Sequence, residues 1–545
     1  MTESLNMLPP ENKASPPKFQ FVGGAVLKGR TDGIRSSMIR RAVIESRAKR
    51  RRDAEHEIKS ILRQSKSSVC ACHVYIPVVR VINASRTPVS GDATSSSGPI
   101  PHPTVAATTT VMPSAQCQSC GGRISSRTIR PPPWGLQTFQ AGNLDPLVLF
   151  DTNLVGIDVQ RILNVAGAHI WPSMRPLDYS SNCYRSWVFP FEDKLKVYIV
   201  LWSTCYYRDM LRITHGPPGQ EIDSKQQLYL RALVIRRLRE EVDNIESVAT
   251  PDGLVMTILF LAVNVAHRTG LGRDASPFSP PFTGLHTLDI YGSRKYHPIH
   301  WDIMHNIIRR FGGVSSLKVF AIAWHVSIAD LMHAANTLQK PIYPALGVHG
   351  QVLDLVPPLA LFHIPGLDLP TARIPGLGFQ VLACLSPPIR QDVIHVFAEV
   401  GQYSCVIQHY GTHPCGAAVL DLLGDSRNLV HHRLFSLPSE KDDLNQVLGS
   451  CGDVLEQTWH TWQVYLLVRL SAILYAIHVS FPIPRSTQLR ERVVAALSPM
   501  FPAFIERPAI YPLLLWSLVI VVIASGDSAP RQLLDHVAEL CGRLK

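Results

Sequence analysis

The chain has 545 residues, 46% of them hydrophobic and 17% charged, which excludes a wholly disordered chain and leaves room for a large buried core. Its formal charge of +11 is uneven. Residues 1–64 carry 14 Lys/Arg against 7 Asp/Glu, a net of +7, and residues 65–545 carry 39 against 35, only +4, so a basic arm is expected and a polyanion-binding body is not.

Residues 1–32 open Pro-, Asn- and Lys-rich and are read as a disordered N-terminus. Residues 33–64 are expected to form a basic helix. Ile34, Met38 and Ala42 recur every fourth position with Ile39 and Val43 beside them, while Arg40, Arg47 and Arg51 fall on another face. Arg40, Arg41, Arg47, Lys49, Arg50, Arg51 and Arg52 are candidates for contact with a nuclear import receptor or with DNA phosphates. A solvated helix face is the third reading of the same residues. Leucine-zipper pairing is not expected, because only about twelve residues follow Arg52 before a Ser-rich break. Residues 65–132 read as a Ser/Thr/Pro-rich disordered linker, interrupted by the β-prone stretch "HVYIPVVRVI" (73–82).

Residues 133–545 read as one helical domain. Residues 194–211 suit a central apolar helix. Residues 224–244 place Leu230, Leu233, Val234, Leu238 and Val242 on one stripe. Residues 250–267 open with Thr250 as N-cap, Pro251 in the first turn and Asp252 near the positive helix end, then become almost wholly apolar. Residues 301–313 are amphipathic and stop at a Gly pair. Residues 463–479 and 530–545 continue the pattern, the last with Leu533, Leu534, Val537, Leu540, Cys541 and Leu544 as its apolar face. The 12-residue run Leu513–Ala524 falls short of the roughly 20 residues of a spanning helix and reads as core. Strand patterning is sparse, so the fold class expected is all-α.

The eleven cysteines lack regular pairing and suggest reduced thiols. Cys117 and Cys120 form a C-x-x-C knuckle, which supplies two of the four ligands of tetrahedral zinc. Cys70, Cys72 and His73 lie 44 residues away, a spacing of no known zinc module, so thiols without metal are the better reading. The first twenty residues lack an apolar core, and no secretory leader is expected. The chain shows no H-E-x-x-H, G-x-S-x-G or G-x-x-x-x-G-K-[ST] motif. The turn "GLGFQ" (376–380) is no dinucleotide fingerprint. The histidine pair His431–His432 and "WHTW" (459–462) read as structural.

Several stretches taken in order resemble the fungal-specific transcription factor-like proteins, a helical regulatory family. "IRRAVI" (39–44) resembles the family's basic-helix core, with Ala42 at a usual His. "GNLDPLVLF" (142–150) resembles its domain-opening Asp-Pro-Phe segment. "IHWDIMHNIIRRFGGVSSL" (299–317) resembles its Arg-Gly-Gly helix and turn. "DSRNLVHHRLFSLP" (425–438) resembles its Arg-Asn…His-Arg-Leu stretch, with His431 at a usual Gln. The stretches 470–484 and 511–540 resemble its late helices, with Val521–Val522 where Gly-Gly is usual. The resemblance implies a helical regulatory domain of the middle-homology type, nuclear placement and a role in regulating transcription. DNA-binding relatives carry a six-cysteine zinc cluster near the N-terminus, but the first 69 residues here contain no cysteine.

The function expected is therefore transcription regulation by binding, without catalysis, cofactor or membrane contact. Partners would be an import receptor, DNA through the basic helix, and a protein or small effector at the helical body. A helical enzyme with a site assembled from distant residues, or a scaffold binding neither DNA nor ligand, are the alternatives.

Overall fold

The computed structural model describes residues 152–545, apart from 155, 190–192, 216–223, 249, 266–272, 363, 365–375, 414, 450–454, 527–528 and 545. The basic segment with its arginines and Lys49, the linker with Cys117 and Cys120, and the segment 133–151 lie outside the described residues.

The fold is all-α. Among the described residues there is no β-strand, only the isolated bridges Leu346↔Val352 and Ile389↔Leu448. Helix α1 (Val159–Val165) passes through a π-helical turn, Ala166–Ile170, into Trp171–Met174, and α2 (Tyr179–Cys183) passes into a second, Tyr184–Val188. There follow α3 (Lys194–His215), α4 (Lys225–Asp243), α5 (Asp252–Val263), α6 (Pro298–Arg310) and α7 (Ile322–Thr337). After an irregular stretch come α8 (Gln391–Thr412), α9 (Ala417–Ser436), α10 (Leu455–Tyr475, ending in the π turn Ala476–Ser480), α11 (Thr487–Leu497), α12 (Tyr511–Ser525) and α13 (Arg531–Arg543). Helix α3 packs on α4 and α5, α5 on α6 and α7, and α7 on α9; α10 and α11 pack on α12, and α12 on α13. One apolar core runs from Leu154 to Leu540.

Three helices show a sequence cause directly. Ser224 caps α4 by accepting from the Gln227 N–H, and its stripe Leu230, Leu233, Val234 and Leu238 is buried. Helix α6 stops at Gly312 and Gly313, both at positive φ (92° and 96°), a conformation glycine adopts without strain. In α5 every residue from Leu254 to Val263 is buried, as a helix apolar on all sides requires.

Three local expectations are corrected. The N-cap of α5 is Pro251, not Thr250. Asp252 stands in the first turn of α5 as expected, and its Oδ1 also accepts from the Lys318 and Val319 N–H groups, both at 2.8 Å, tying a distant loop to the head of the helix. In α13 only Leu533 and Leu540 are buried and Val537 partly so, while Leu534, Cys541 and Leu544 are exposed, because the helix meets α12 along the single i, i+4, i+7 column. The turn "GLGFQ" is the start of a 3₁₀ helix, Leu377–Cys384. The run at 513–524 belongs to an 18-residue helical stretch, Pro508–Ser525. That stretch and Glu456–Ser480 are both long and apolar enough to cross a membrane, yet 50% of the first and 72% of the most apolar 18 residues of the second are buried inside the protein, as in core helices.

Candidate functional site

The described body contains a partly open cavity of about 90 Å³ walled largely by aromatic rings. A single buried water needs roughly 10–15 Å³, so it has room for several waters or a small molecule.

Local helix periodicity explains how distant residues converge there. Helix α3 presents Val200, Ser203, Thr204 and Tyr207, an i, i+3, i+4, i+7 stripe, and α7 presents Trp324, His325, Ile328, Ala329 and Met332. Helix α5 adds Leu259, Phe260 and Val263. Two of the π turns also contribute, for Ile170 ends one, with Trp171 next to it, and Trp187 lies in the other. An extra residue in a helical turn re-aims the side chains beyond it, and such turns recur at functional sites.

The remaining wall is a strained turn. His286 and Thr287 both have positive φ (53° and 55°), which is costly for non-glycine residues and most of all for a β-branched one. The surroundings hold them there. The Arg427 guanidinium donates to the Leu285 carbonyl at 3.0 Å and the Asn428 amide donates to His286 Nδ1 at 3.2 Å. Gly424, on the preceding turn of α9, lies against the His286 ring, where a Cβ would overlap it. Gly424→Ala is therefore expected to destabilise the body by about 1–3 kcal/mol through overpacking, opposite to the gain of about 1 kcal/mol usual for this change in a helix. Thermal unfolding checks the sign, and the penalty should shrink in a His286→Ala background.

Charge is kept out of the cavity. None of its 21 lining residues is Asp, Glu, Lys or Arg. Burial holds His286 well below the ordinary histidine pKa, helped by the Arg427 and Arg175 charges, and lowers His325 to about 4. Both rings are neutral at pH 7. Burial also raises the Tyr207, Tyr291 and Tyr296 phenols, so none ionises. His325 is fully satisfied: its Nδ1–H donates to the Ala321 carbonyl at 2.9 Å and its Nε2 accepts from the Tyr179 hydroxyl at 3.3 Å. Trp324 is not. It is 1% exposed, yet its Nε1–H makes no hydrogen bond within the protein. Behind it lies an ion-paired layer, in which Arg175 sits 5.6 Å from the Trp324 ring centre and makes a two-pronged contact with Asp425.

One pair elsewhere has the geometry of a nucleophile and its base. Ser480 Oγ donates to His431 Nε2 at 2.8 Å, and His431 Nδ1–H donates to the Arg427 carbonyl at 2.7 Å. Both side chains are sealed, at 2% and 0% exposure, and burial drives the His431 pKa down to about 3. A base that weak, with no path for substrate, is structural. Ser480→Ala is expected to cost about 1 kcal/mol of stability, the worth of one buried hydrogen bond, measured by denaturant midpoint.

Among the described residues no group of three or more His, Cys, Asp or Glu is placed to hold a metal, and no disulfide forms. His431 is core. His432 Nε2 bonds the Tyr343 carbonyl, Trp459 is exposed and Trp462 is buried. The cavity residues were not singled out from sequence. Their only local signal is aromatic residues at helical spacing, as in "LWSTCYY" (201–207), which core packing explains equally well. Compared with family models, curated proteins and solved structures, the chain matches none.

Proposed function

We propose that the protein is a transcription regulator whose helical body works by binding a small effector in the aromatic cavity, without catalysing a reaction. The observation that carries this reading is the cavity itself: recessed, aromatic, free of ionised groups, and walled by α3, α5, α7, two π turns and a turn held under strain. Ligand sites are characteristically concave and apolar with few polar groups. The same features argue against the enzyme reading, since acid–base work needs a group that titrates near the working pH, and burial holds the cavity histidines neutral.

The regulatory part of the proposal is supported by the ordered resemblance of several stretches and by the basic cluster Arg47, Lys49, Arg50, Arg51 and Arg52. A reporter fused to residues 1–64 is expected to accumulate in the nucleus, and to stay cytosolic when those five residues are alanine. A wild-type fusion that remains cytosolic would remove the import role. Gel shifts of the full chain at two salt concentrations test DNA binding. For every DNA phosphate that the five-alanine variant no longer neutralises, the salt slope should fall by about 0.9.

A further inference from the structure

Resting on the cavity as the effector site, we infer that the turn Phe282–Leu288 is a hinged wall of that cavity, sprung in the form seen here and latched by Arg427 of α9, and that an effector enters by displacing it.

Space is the first reason. Small-molecule sites usually enclose about 300–1,000 Å³, and an apolar cavity that admits benzene measures roughly 150 Å³. At about 90 Å³ the cavity is too tight for a ring unless a wall gives. Helices α3, α5 and α7 are poorly placed to give, because they pack into the shared core and close-packed interiors resist displacement.

The turn is the wall that local physics disfavours. Six non-glycine residues have positive φ among the described residues, and three of them, Phe282, His286 and Thr287, fall in this one segment. Left-handed backbone is costly for a residue with a Cβ, and here two stand in succession, the second β-branched. The latch is costly as well. Arg427 is buried, and its guanidinium donates to the Leu285 carbonyl at 3.0 Å and to Asn428 Oδ1 at 3.4 Å, with no ion pair among the described residues. Burial pulls its pKa down to about 10, so it stays cationic at neutral pH. A buried cation without a carboxylate is unfavourable. A strained turn and an unneutralised guanidinium therefore meet at one carbonyl. Such costs persist only where the surroundings over-determine them, and they cluster at ligand clamps and switches. All the determinants here come from α9: Arg427, Asn428 on the His286 ring, and Gly424 against that ring. Breaking the Arg427–Leu285 bond lets His286 and Thr287 return to negative φ and leave the wall, with Tyr291 carried along by the short helix Leu288–Tyr291 that follows. Because α9 holds the turn shut, α9 is the element that registers its displacement.

The test uses the full chain. Amide hydrogen exchange of residues 282–291 reads opening of the turn, and fluorine NMR titration with fluorobenzene reads access to the cavity. Saturating fluorobenzene is expected to raise exchange across 282–291 by roughly threefold or more, since a ligand that selects the displaced form populates it. A ligand seated behind an unmoved turn would lower that exchange. Thr287→Gly relieves the φ cost of the shut form alone, and should slow exchange there roughly threefold or more, whereas glycine loosens an ordinary segment. Arg427→Met removes the latch, and should speed exchange about tenfold and tighten fluorobenzene binding in the same proportion. The wild-type and Thr287→Gly results decide the matter even if Arg427→Met fails to fold. Exchange lowered or unchanged by bound fluorobenzene, or quickened in Thr287→Gly, would overturn the hinge and leave the cavity reading intact. Failure of fluorobenzene to bind either the wild type or Arg427→Met would overturn both.

Discussion

Arg175→Ala is expected to lower the stability of the helical body by about 3–5 kcal/mol, the range for breaking a buried ion pair by removing one partner. Arg175 is 7% exposed. Its Nη1 and Nη2 donate to Asp425 Oδ1 and Oδ2 at 2.6 and 3.1 Å, and Asp421 lies 3.6 Å away. The two carboxylates sit one turn apart on α9, so Arg175 is what lets them share that face. Burial already raises the Asp421 pKa to about 6, with Arg175 opposing the rise. Without the guanidinium, Asp421 would take up a proton near neutral pH and Asp425 would lose its two-pronged partner. The stacking of the guanidinium on the Trp324 ring would go as well, loosening one cavity wall. Arg175→Lys should recover only part of the loss, because a point-charge ammonium cannot make the forked interaction. In contrast, Arg175→Met combined with Asp421→Asn and Asp425→Asn should restore much of it, since well-packed apolar or neutral replacements of buried ion groups are often tolerated. Chemical-denaturation midpoints of the four proteins check the order.

A second large effect is expected from pH. Burial lowers His305, His325 and His478 to about 4 and His431 to about 3. In the unfolded chain each titrates near 6.5. Between about pH 6.5 and 4 the unfolded chain therefore binds more protons at these four sites. Their stabilising contribution is complete above about pH 6.5 and is lost as the pH falls. Asp330 and Asp421 act with the opposite sign. Burial raises both to about 6, against about 3.9 unfolded. The folded chain binds more protons at these two sites between about pH 6 and 4, which adds stability as the pH falls. Among these six groups, four against two leave a loss of up to about 3 kcal/mol per pH unit in that window, at about 1.4 kcal/mol per proton, and His286, also held low by burial, acts in the same direction. Unfolding midpoints at pH 7, 6, 5 and 4 should drop steeply below 6. A flat profile would mean that water reaches these rings.

The helices were legible because their apolar spacing is a local signal. Leu230, Leu233, Val234 and Leu238 announce α4, and the Gly312–Gly313 pair announces the end of α6. The bounds of α13's buried face were not, because Leu534 and Leu544 look as apolar as Leu533 and Leu540 until the position of α12 is known. The cavity left even less trace. Its residues come from separate helices, and a tryptophan such as Trp324 reads as core whether or not its indole N–H finds a partner. The turn at His286–Thr287 carries none of the Gly or Asn that usually mark positive φ. Arg427, at 2% exposure, would be placed on a solvated face from sequence, since arginine is almost never fully buried.

The central claim, that the body regulates through a molecule held in this cavity, is tested most directly by the transcript profile of cells carrying Ala329→Leu in place of the wild-type chain. The variant should fold and accumulate normally, and its profile should move to that of cells lacking the protein. A profile indistinguishable from wild type, with the variant present at normal levels, would contradict the account.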